Sequence, residues 1–361
     1  MEKFPAYSHI STVMRNARHF LPIKATVIFF ITTPFVTFSQ SPLLKKDLKQ
    51  SVLSVAYFIE SANNSVNSLN GLLRKDNYRN KITTLNNPSN NELGFNLKTE
   101  IVTALQPLLD KAKKTDNAKF REVIETLLSN PDENGLSSVK QYIPAAGIFT
   151  TVLSLVGNLV ITEKKITKDD LNQFAAKVMQ YFAQYEKLNI INEQFARQVE
   201  ELLGKIEEAK QDLKDFLVEC ITTFNKTANK QSIKEMSVEA LIQKYYDPQK
   251  LQARLDTMKF KPEMVLFPPD APTSIKLLTS AIKKLQKEFE QVYSDNYKSL
   301  IELLASLKNT IPNLDENQLE ITKTDLSKLY NDSRQADLIN LNVTQVDERM
   351  NRACTIINAY Y

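Results

Sequence analysis

The sequence predicts an all-α protein: an elongated antiparallel helical bundle built on long coiled-coil-like helices. Three observations predict it. The 361 residues include only six glycines and no tryptophan. Asn-Gly pairs, the strongest two-residue hairpin signal, occur only at Asn70-Gly71 and Asn134-Gly135. Apolar residues recur at alternating steps of three and four over long stretches, the 3.5-residue period of helices packed lengthwise.

The first element is a leader. Ala25 to Phe38 (ATVIFFITTPFVTF) is an apolar run preceded by Arg15, Arg18, His19 and Lys24. Thr37 and Ser39 are small residues at minus three and minus one of a cut before Gln40. That is the plan of a secretory signal peptide over residues 1–39, with Met14 as the expected true start. The run is too short for a span of about 20 residues. The protein is therefore expected to be exported, to the periplasm or the extracellular space.

Removing the leader takes away both histidines, His9 and His19, with four basic residues and one acid. The mature chain then carries 42 Lys and Arg against 41 Asp and Glu. A near-neutral surface gives no electrostatic case for nucleic acid, which is excluded as a partner.

Residues 40–361 read as one helical-bundle domain. Its first helix carries the row Leu44, Leu48, Val52, Val55, Phe58, Ala62, Val66, Leu69 and Leu73. Asn77 to Asn96 holds seven asparagines and a proline, a composition hostile to helix, so a loop is expected. Shorter helices are expected over Leu97–Leu128 and Met236–Met258, and a proline-rich loop over Lys261–Thr273.

The longest helix is expected over about 167–227. Its seam is Leu171, Phe174, Val178, Tyr181, Tyr185, Leu188, Asn192, Phe195, Val199, Leu202, Ile206, Ala209, Leu213, Phe216, Cys220 and Thr223. No proline interrupts it. Thr167 followed by Asp170 resembles a capping box with Asp at the third position. At 1.5 Å per residue such a helix is roughly 85 Å long. A second long helix over 274–309 carries Ile275, Leu278, Ile282, Leu285, Phe289, Tyr293, Tyr297, Leu300, Leu304 and Leu307. Its consecutive steps of four from Leu285 to Tyr297 are a stutter that locally unwinds a coiled coil. Thr324 to Tyr361 is expected as a final helix.

Between Lys140 and Glu163 lies YIPAAGIFTTVLSLVGNLVIT, without a charged residue. As a helix over 143–161 it gathers Ile148, Phe149, Val152, Leu153, Leu155, Val156, Leu159 and Val160 on one arc. The other arc is small and weakly polar, the pattern that lets helices approach closely in membranes. Its large apolar residues supply about −3 to −6 kcal/mol of insertion energy, opposed by Asn158, the glycines, the hydroxyls and Pro144. The balance is marginal. Two readings stand: conditional insertion into a lipid bilayer through those eight residues, or a core helix covered by the bundle.

Chemistry is scarce. The mature chain has no histidine for a Ser-His or Cys-His pair or a His-type zinc site. It has no phosphate-binding glycine-rich loop, no Cys-x-x-Cys and no calcium loop. No enzymatic activity, cofactor or metal is expected. For Cys220 and Cys354, the only cysteines, two readings stand: a disulfide between two helices, or two separately buried thiols.

A signal peptide, long helices and one uncharged stretch, IPAAGIFTTVLSLVGNLVI, before the longest helix make a plan that resembles the secreted α-helical pore-forming toxins of the cytolysin A and haemolysin BL type. The likeness is one of architecture over most of the mature chain. It implies a soluble bundle that hides the stretch, then exposes it to a target bilayer and self-associates. The competing expectation is an exported structural or adaptor bundle that binds another helical protein through its coiled-coil surfaces.

Overall fold

Ten α-helices and one π-helical turn make up the described part of the computed structural model, which covers residues 42–74, 76–88, 90–112, 167–260, 264–340 and 343–359. All of them belong to the unit Pro42–Tyr361. The signal-peptide expectation for residues 1–39 lies outside the described residues.

Helix α1 (Pro42–Arg74) opens the described bundle. Val52, Leu53, Val55, Ala56, Phe58 and Ile59 are all buried, so over this stretch the helix sits in the core. The interleaved Ser51 and Ser54 satisfy their hydroxyls locally, donating to the carbonyls of Leu48 (2.6 Å) and Gln50 (2.8 Å). Helix α2 (Asn77–Leu85) follows after Asp76. It occupies the first half of the stretch expected to be a loop. Asn-rich composition disfavours it, but Asp76 caps it and Tyr78, Ile82 and Leu85 are buried along one face, so tertiary burial overrides propensity. Residues 86–88 and 90–96 are non-helical, as expected. Helix α3 is Leu97–Ala112, and the rest of the expected Leu97–Leu128 helix lies outside the described residues.

Helix α4 (Lys168–Phe224) is the predicted long rod of 57 residues, about 85 Å at 1.5 Å per residue. Every seam residue from Phe174 to Cys220 is buried. Thr167 and Asp170 form the reciprocal capping box. The expected Met236–Met258 helix is instead broken, after α5 (Lys230–Lys234), into α6 (Val238–Leu241), a π turn (Ile242–Tyr246) and α7 (Pro248–Thr257). Asp247 caps α7 and Pro248 opens it, which forces the break.

Helix α8 (Ala271–Thr310) buries its predicted row except Tyr297. At the stutter the buried position moves to Asn296. The expected final helix is two: α9 (Glu316–Asn340) and α10 (Val343–Asn358).

Side-chain pairs give the topology. Lys205–Glu288 (2.8 Å) and Phe195–Tyr293 (5.2 Å between ring centroids) set α8 antiparallel to α4. Lys308–Glu316 (3.0 Å), Tyr297–Tyr330 (4.3 Å) and Lys283–Asp347 run α9 and then α10 antiparallel to α8. Arg79–Glu200 (3.8 Å) and Asn86–Asn189 (3.2 Å) place α1 and α2 antiparallel to α4. The result is an up-down-up-down bundle of four columns: α1–α2, α4, α8 and α9–α10.

Two columns continue past the others. The Lys205–Glu288 register brings the end of α8 level with roughly residue 180 of α4, so about 18 Å of α4 extends beyond it. Alongside that extension runs α3. The α8–α9 turn is stitched to the column at the start of α3: the Asp315 N–H donates to the Gly94 carbonyl (2.8 Å) and the Thr322 hydroxyl to the Glu92 carbonyl (2.6 Å). Gly94 has φ of +80°, and a Cβ there would meet the Asp315 carbonyl oxygen at 2.8 Å. Only glycine permits this junction.

Candidate functional site at the α3–α4 arm

Residues 97–112 and about 168–183 form a two-helix arm on the bundle. Leu97, Ile101, Leu105 and Leu108 of α3 and Phe174, Val178, Tyr181 and Phe182 of α4 are buried in it, and among the described residues α4 is the main neighbour of α3. Among the described residues no third helix lies beside it, and on the outer face of α4 Met179 is 50 % exposed and Ile190, farther along the same face, 55 %.

The base of the arm is aromatic. Phe95 packs on Tyr181 (5.2 Å) and edge-on to Tyr185 (5.7 Å). Burial, and then the neighbouring Glu100 carboxylate, push the Tyr181 phenol well above its ordinary range. Burial alone does the same to Tyr185.

The tip is ionic. Asp170 accepts from the Thr167 N–H (3.0 Å) and the Thr167 hydroxyl (2.9 Å), while its own N–H donates to that hydroxyl (3.2 Å). The same carboxylate pairs with Lys111, in the last turn of α3. The Lys111 ammonium and then the Thr167 donors lower the Asp170 carboxyl from 3.8 to about 2. One side chain thus caps α4 and holds the end of α3. Ala112 and Thr167, the described residues that bound the stretch 113–166, are therefore neighbours at the tip.

The eight residues predicted to meet a bilayer (Ile148, Phe149, Val152, Leu153, Leu155, Val156, Leu159 and Val160) fall within that stretch and lie outside the described residues. Among the described residues, no helix is long and apolar enough to cross a membrane, and no group of three or more His, Cys, Asp or Glu side chains comes together.

The cysteines do not form the disulfide considered from sequence. Both are free and buried. Cys220 lies in the α4 seam against the Tyr246 phenol, which the π turn directs inward, and burial pushes its thiol well above the ordinary range. Cys354 instead faces the Pro272 carbonyl at the start of α8 (3.6 Å).

Sequence reasoning found the capping box but missed two further features. Lys111 gave no signal, because its partner lies 59 positions away. Asp76 was also missed. Only 8 % exposed, it accepts from the Tyr78 N–H (2.8 Å), the Tyr293 hydroxyl (2.5 Å) and the Ser333 hydroxyl (3.1 Å). The Tyr78 hydroxyl in turn donates to Asn296 (2.9 Å). Three columns meet at this satisfied buried network.

No family model matches this chain, and no curated protein or solved structure is significantly similar to it.

Proposed function

We propose that this protein is an exported, non-enzymatic helical bundle that interacts conditionally with lipid bilayers through residues 143–161, in the manner of α-helical pore-forming toxins. The observation that carries the reading is the arm. Both ends of the stretch 113–166 meet at the tip of a two-helix extension, beyond the point where the other two columns turn back. A stretch that leaves and returns at one extremity can meet a surface without dismantling the four-column core, whose long seams stay buried. The marginal insertion energy of 143–161 fits a conditional encounter better than a constitutive span.

A second reading has its own support. Met179 and Ile190 are large apolar side chains on the outward face of α4, the surface an adaptor bundle would offer a helical partner or a second copy of itself.

Dye-loaded liposomes separate the two. Residues 40–361 are expected to release dye, and the combined substitutions Val152→Asp and Leu155→Asp to abolish release while leaving the helical circular dichroism intact. Absence of leakage and of vesicle association from the unsubstituted protein would remove the membrane reading and leave the adaptor.

A further inference from the structure

We infer that the α3–α4 arm opens as a cooperative unit of its own, clasped at its tip by Asp170 and stopped at its base by the Phe95–Tyr181–Tyr185 aromatic cluster. The inference does not depend on the membrane reading, because it concerns an equilibrium of the protein alone in solution.

The stability of a segment follows the apolar surface it buries and the hydrogen bonds it keeps from water. Among the described residues, each bundle column packs on several others, whereas α3 packs mainly on α4. Its buried apolar row is short: Leu97, Ile101, Leu105 and Leu108. Pro107 stands inside α3 and has no N–H to return to the Thr103 carbonyl, which weakens the helix half-way along. By composition and packing the arm belongs to the low end of the stability range.

Cooperation between its two helices comes from Asp170. Loss of the Lys111 pair frees the end of α3 and withdraws a charged partner from the carboxylate that caps α4. Conversely, fraying of the first turn of α4 displaces the carboxylate that Lys111 needs. The coupling therefore runs both ways. Opening that starts at the tip proceeds toward the base until it reaches Phe95 between Tyr181 and Tyr185, where the chain is also tied to the α8–α9 turn through Gly94 and Asp315.

Amide hydrogen exchange with mass spectrometry on the full chain tests this. Peptides from 97–108 and 171–181 are expected to exchange at least roughly tenfold faster than peptides from 195–216. Lys111→Gln and Asp170→Asn are each expected to accelerate both arm peptides together by roughly three- to tenfold, with the bundle peptides unchanged. Arm peptides as protected as the bundle would overturn the inference. So would Lys111→Gln accelerating the α3 peptide alone, which would show that the two helices open independently. Lys111→Gln removes a half-exposed surface side chain, so the test stands even if Asp170→Asn were to unfold the chain.

Discussion

A buried carboxylate is costly unless it is hydrogen-bonded, and Asp76 accepts from three donors. The Tyr293 hydroxyl approaches at 2.5 Å from α8 and the Ser333 hydroxyl from α9, so one residue at the α1–α2 junction registers two other columns. Tyr293→Phe leaves the ring stacked on Phe289 and removes only the donor. It is expected to destabilise the bundle by about 1–3 kcal/mol, the cost of a charged acceptor stripped of one partner. Urea denaturation checks this, and an unchanged midpoint would contradict it. The sequence does not announce Asp76. Its two side-chain partners are 217 and 257 positions away, and an Asp before an Asn-rich stretch looks like a loop residue.

At the scale of elements, periodicity was the legible signal. The seam from Phe174 to Cys220 could be written down from the sequence because a sustained repeat specifies one buried face whatever the partner is. Local composition misled where tertiary contacts outweighed it. Asn77–Leu85 is a helix because Tyr78, Ile82 and Leu85 find a core, not because asparagine favours helices. The α8 stutter was legible as a departure from the repeat, but its consequence was not: Tyr297 moves out to stack on Tyr330 while Asn296 turns inward to accept from Tyr78. The capping box of α4 was legible because both members lie within one turn, whereas the Lys111 pair that completes the arm was not.

The arm carries an acid dependence of definite sign. Lys111 and Thr167 depress the Asp170 carboxyl from 3.8 to about 2, so its contribution to stability is complete above the ordinary value and is lost as pH falls through the depressed one. Lys111 faces it from α3. Helical circular dichroism is therefore expected to show a loss between about pH 4 and pH 2 that is absent from Asp170→Asn, the two proteins converging below that window. Parallel curves for the two proteins would contradict the assignment of Asp170 as the clasp.

For the molecule as a whole, the division of labour is between a four-column bundle with long buried seams and a two-helix arm with a short one. The sequence showed the columns and the apolar stretch separately. It did not show that α3 continues the first column, or that the flanks of 113–166 converge, since both follow from contacts between distant residues. The central claim, that residues 143–161 meet the bilayer, is tested most directly by an environment-sensitive fluorophore attached at Leu155→Cys. The native cysteines are buried, which favours selective labelling. Addition of vesicles is expected to shift emission to the blue and raise its intensity at position 155, and to leave the same fluorophore at Glu201→Cys, on the solvent face of α4, unchanged. Identical spectra with and without vesicles at position 155 would contradict the account.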